Sequence, residues 1–138
     1  MFYVKVLAVV LYSFFVVNFL DNVLNPVNCP GWHLILIGIY AVLPLFLSRN
    51  LREFIMLFIV ASLVNDLTYA LFRNIFLNGN YDLYEWYMWQ FGMCGFKPRW
   101  TADFMFFKVR VSSVMMGAWV WLRILSLLTI LIFYRKRF

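Results

Sequence analysis

The chain has 138 residues, of which 65% are hydrophobic, 22% aromatic and 13% charged, with a net charge of +6. Soluble domains carry roughly 25% charged residues, and a soluble fold of this size leaves about a third of its surface in water. That composition excludes an ordinary soluble domain and makes the bilayer the expected solvent. The basic residues sit at the ends of apolar runs and form no single patch, which argues against nucleic acid as a partner.

An apolar helix needs about 20 residues to cross the hydrocarbon core. The first candidate runs from about Phe2 to Leu20 and stops at Asp21-Asn22. Lys5 followed by an apolar stretch has the look of a signal peptide, but no small-x-small cleavage site follows, so it reads as a retained helix. A turn-rich loop over residues 25–31 carries Pro26, Pro30 and Gly31. The second helix is expected from about Trp32 to Ser48, short and kinked by Pro44. Residues 49–53 predict a tight hairpin into a third helix over Phe54 to Phe72. The segment from Arg73 to Arg110 contains twelve aromatic residues, too many for a solvated loop. Asp82 with Glu85 three residues later reads as a capping box for a short interfacial helix over 83–91. Trp86, Tyr87, Trp89 and Trp100 are its expected headgroup anchors. An irregular stretch over 94–98 follows, and a fourth helix over 111–134 ends at Arg135-Lys136-Arg137.

The expected architecture is therefore an all-α, four-helix integral membrane bundle in one domain over residues 1–138, with the aromatic interfacial helix between the third and fourth spans. Arg49, Arg52 and the basic C-terminal run place both termini on the cytoplasmic side of a cell membrane or organelle inner membrane. Cys29 and Cys94 then share the external side, where either a disulfide or two unpaired thiols can exist.

A charge near the middle of a membrane helix costs at least about 2.5 kcal/mol on insertion scales, so it needs a partner or a task. Asp66 and Arg123 are such charges, at about 18 Å and about 12–16 Å from the cytoplasmic ends by helical rise. They are expected to pair, either as a proton or ion site or as an ion pair fixing helix register. Ser62, Tyr69 and Arg73 extend a polar seam on the third helix, as Trp119 and Ser126 do on the fourth. His33 is the sole histidine and is expected to make interfacial hydrogen bonds rather than bind a metal. The aromatic segment could line a pocket for a quinone or lipid tail, or form an ordinary aromatic belt. No phosphate loop, HExxH or GxSxG pattern occurs, so no catalytic residues, metal or cofactor are expected.

Cys94-Gly95-Phe96 with Phe106-Phe107 downstream resembles the exposed loop of subunit 3 of respiratory NADH dehydrogenases over a handful of residues. That family's acidic helix after the loop has Arg123 in its place here, so no residues carry over. The leading functional expectation is a non-catalytic accessory subunit of a larger membrane complex, with an energy-transducing or respiratory-type oxidoreductase as one candidate. Its partners are other integral membrane subunits and membrane lipids. Two alternatives are a small homo-oligomeric transporter or channel using Asp66 and Arg123, and a membrane redox or lipid-modifying enzyme subunit using Cys29, His33 and Cys94.

Overall fold

The computed structural model describes residues 1–24 and 29–135, with side chains described as far as Phe133. Most of the expected loop over 25–28 and the end of the basic run, Lys136 and Arg137, lie outside the described residues. The chain is mostly helical, and among the described residues three helices are long and apolar enough to cross a membrane.

Helix α1 runs from Phe2 to Val23, past the expected stop at Leu20. Its middle is a π turn over Ser13–Val17. The extra residue in that wide turn rotates the buried face. Val9, Ser13 and Val17 are buried at the regular spacing of four, and then Asn18 and Asp21 are buried as well. Asp21 continues that spacing from Val17, whereas a uniform helix would have turned Asn18 away.

Helix α2, Trp32–Leu47, has sixteen residues and contains Pro44. It is shorter than the other three, so the four-span bundle expected from the sequence reduces to three helices of spanning length plus one short apolar helix. Helix α3, Leu51–Phe76, is longer than expected at both ends. Asn50 caps it by accepting a bond from the Glu53 N–H, so the tight hairpin is confined to residues 48–50. The Glu53 carboxylate accepts from the Arg49 N–H and from Lys5 Nζ, each at 2.7 Å, tying α1 to the start of α3.

Helix α4, Leu83–Gln90, is the expected short aromatic helix, capped by Asp82, whose side chain accepts from the Tyr84 and Glu85 N–H groups. Beyond it the all-α expectation fails. Strands β1, Pro98–Asp103, and β2, Lys108–Ser112, form an antiparallel hairpin with Asp103 opposite Lys108 and Thr101 opposite Arg110. Helix α5, Ser113–Arg135, follows β2 without a break, so residues 111 and 112 are strand rather than helix. Gly92 and Gly117 bring the end of α4 against α5. A Cβ on Gly117 would lie 2.4 Å from the Gly92 Cα, so no larger residue fits that crossing.

Helix α3 is the spine. On one side it packs with α1 and α2 around Val9, Val17, Leu36, Tyr40, Leu57 and Ala61. On the other, Leu63 and Leu67 meet a second core made by Trp89, Ala102, Val111, Met116 and Val120. Helices α2 and α5 both lie on α3 but make no substantial contact with each other among the described residues. In lipid, apolar contact gives little net drive for helices to associate, so close packing and polar ties must fix this arrangement.

Candidate functional site

Asp66 lies ten residues from the Phe76 end of α3 and Arg123 ten residues from the Ser113 end of α5, each about 15 Å by helical rise. They meet as expected. Arg123 Nη2 donates to Asp66 Oδ2 at 2.6 Å, and Nη1 donates to Ser62 Oγ at 3.2 Å. Nε donates to the Trp119 carbonyl at 3.3 Å, and the guanidinium sits 5.1 Å from the Trp119 ring centroid. All three guanidinium nitrogens are therefore engaged, and the ring supplies a cation–π contact. The two charges differ in cover: the Arg123 side chain is 4% exposed, whereas that of Asp66 is 23% exposed.

The rest of the proposed seam divides. Tyr69 and Arg73 are joined to each other through their side chains. Tyr69 stacks on Trp86 of α4 at 5.6 Å, and Arg73 lies over Tyr81. These residues dock the interfacial helix on α3. Ser126 is not part of the seam, because its hydroxyl donates to the Leu122 carbonyl one turn back on its own helix.

A second polar cluster, which the sequence reading did not foresee, occupies the opposite flank of α3. Asn65 Nδ2 donates to Asn18 Oδ1 at 2.8 Å and to Asp21 Oδ2 at 3.3 Å. Tyr40 donates to Asn65 Oδ1, Trp32 Nε1 donates to Asp21 Oδ1, and Asn18 Nδ2 donates to Thr68 Oγ1. Asn18 and Asn65 are fully buried and Asp21 nearly so. Ser13 adds a bond to the Ala61 carbonyl lower on the same face. Asp21 is thus a structural member of the bundle, not merely the end of the first helix.

Cys29, His33 and Cys94 do not assemble into a site. His33 Nδ1 accepts the Asp103 N–H at 2.9 Å, and its ring stacks on Trp100 at 5.2 Å. Its role is to pin the hairpin across the start of α2. Both cysteines are free; Cys29 packs against the α1–α2–α3 core and Cys94 is exposed. Among the described residues no group of three or more His, Cys, Asp or Glu side chains is placed to hold a metal ion.

The expected anchors also divide. Trp86 stacks under α4, and Trp89 is 4% exposed and belongs to the second core, so it is not a headgroup anchor. Tyr87 lines an open apolar hollow of about 300 Å³ with Leu83, Tyr84, Met88, Phe91 and Met93. Trp100 remains partly exposed.

No protein-family model, curated protein or solved structure matches this chain.

Proposed function

We propose that the chain is a non-catalytic accessory subunit of a larger integral membrane complex, in which α3 is a scaffold tied on both flanks by polar clusters. The observation that carries this reading is the use of Arg123. Its three nitrogens donate to Asp66, Ser62 and the Trp119 carbonyl, so the buried cation is spent on holding α5 to α3. A cation serving a transported anion or a substrate would keep its nitrogens free for it, whereas each nitrogen of Arg123 already has a partner within the protein. Helix α5 lies against α3 and α4 on one side, while Leu122, Leu125 and Leu128 stand exposed on its outer face. In this reading an integral membrane partner covers that face.

The test is gentle extraction from the native membrane followed by native mass spectrometry of the particles that carry the chain. Recovery in a fixed ratio with larger subunits supports the accessory role. Recovery only as a monomer or homo-oligomer overturns it.

One observation favours a second reading, a small homo-oligomeric transporter or channel. The Asp66 side chain stays 23% exposed about 15 Å from the helix end, where lipid offers it no hydrogen bond. Asp66→Asn separates the two readings: a transporter loses flux and keeps its oligomer, whereas an accessory subunit keeps whatever flux is present and loses stability.

A further inference from the structure

The β1–β2 connection is Phe104-Met105-Phe106-Phe107, closed by the Phe104 N–H donating to the Phe107 carbonyl at 3.0 Å. Short hairpin connections in water favour Asn, Asp and Gly. Here Met105 occupies φ +68°, the left-handed region in which glycine is cheapest and a long apolar residue is uncommon. That conformation lets the Phe106 N–H donate to the Phe104 carbonyl at 2.8 Å, a turn that glycine would make at less cost, so what methionine adds is its side chain. The rest of the tip agrees: Phe106 is 85% exposed, and Phe107 and Met105 are more than half exposed.

The tip is held at a definite level. The Asp103 N–H bond to His33 and the Trp100–His33 stack fix the hairpin to the first turn of α2. Gly31, just before α2, leaves the space that Met105 fills, since a Cβ there would lie 2.9 Å from the Met105 Cβ. The apolar tip therefore lies beside the N-terminal end of an apolar helix. Lys108 and Arg110 are exposed on β2 just behind it, and Lys97 and Arg99 are exposed at the far end of the hairpin, Arg99 lying 5.8 Å from the Trp89 ring centroid; Asp103 is the sole acidic residue between Lys97 and Arg110. Asp103 meets Lys108 only loosely, at 3.9 Å.

We propose that this hairpin is a lipid-binding anchor: Phe106, Phe107 and Met105 insert at the headgroup–acyl boundary, and Lys108, Arg110, Lys97 and Arg99 bind the phosphates of anionic lipids. An apolar wedge with a basic collar is the combination by which interfacial segments hold anionic bilayers, each cation strengthening binding about fivefold. This inference does not depend on the accessory role.

The test places the full chain in nanodiscs of phosphatidylcholine with phosphatidylglycerol. A bimane label at Phe106→Cys, in a Cys29→Ser/Cys94→Ser background, is exposed to nitroxide-labelled lipid and to aqueous iodide. The anchor predicts quenching by the lipid and protection from iodide. Native mass spectrometry of the unlabelled protein should show phosphatidylglycerol retained severalfold over phosphatidylcholine. Lys108→Gln/Arg110→Gln should abolish that excess, and Lys108→Arg should preserve it, which separates charge loss from misfolding. Iodide quenching, or equal retention of the two lipids, overturns the proposal. Protection from both quenchers would do so too, because it would place the tip against protein.

Discussion

The two flanks of α3 solve the same problem with different chemistry. Toward α1 and α2, amides, a phenol, an indole and one carboxylate form a closed network in which Asn65 is the hub. Toward α5, one guanidinium meets one carboxylate, and the carboxylate is left partly open. Adjacent residues, Asn65 and Asp66, begin the two clusters, because successive helical positions point about 100° apart. The comparison teaches that the network can lose an amide while Trp32 still holds the Asp21 carboxylate, whereas an ion pair that loses a member leaves an unpartnered charge in the membrane. The first should fail gradually and the second abruptly.

The largest effect is therefore expected on the α5 flank. Arg123→Met removes the partner of Asp66 and should lower stability by about 3–5 kcal/mol, measured by thermal unfolding in mild detergent. Asn65→Leu nearly conserves volume but strands the Tyr40 hydroxyl and the Asn18 carbonyl. It should cost about 1–3 kcal/mol in the same assay. A loss as large as that of Arg123→Met would erase the distinction between the flanks. Ser13→Ala removes a single bond to the Ala61 carbonyl and should cost about 0.6 kcal/mol, the average for polar contacts between membrane helices.

The smallest effect lies outside the bundle, where it serves as a control. The Asp103 carboxyl is held below the usual carboxylate range, first by the Met105 N–H that it accepts, then by the Gly31 N–H and by Lys108. A depressed carboxylate contributes its stability above the ordinary aspartate range and loses it as pH falls through the lowered value. The protection of the Met105 amide, relative to its intrinsic exchange rate at each pH, should thus be high near neutrality and fall in acid, and Asp103→Asn should remove that pH dependence. Protection across α3 should stay unchanged over the same range.

What the sequence made legible follows the same division. Asp66 and Arg123 stand out because a charge inside an apolar run is expensive, and Ser62 follows from its place one turn before Asp66. Ser126 has the right spacing but satisfies itself on its own helix, as serine commonly does. Asn18 and Asn65 carry no charge and pass as ordinary interruptions of apolar segments. The π turn that brings Asn18 inward has no pattern that periodicity detects. The hairpin was hidden by its apolar turn, although the alternation in Lys108-Val109-Arg110-Val111 is a strand signal in retrospect.

The central claim is that the Asp66–Arg123 pair is a structural tie, and the double variant Asp66→Leu/Arg123→Met tests it most directly. Replacing a buried ion pair with apolar side chains of similar size is often neutral. The account predicts that the double variant unfolds within a few degrees of the native chain, well above Arg123→Met alone, and still co-purifies with the same membrane partners. A double variant no more stable than Arg123→Met, or one that folds normally but leaves its partners, would contradict it.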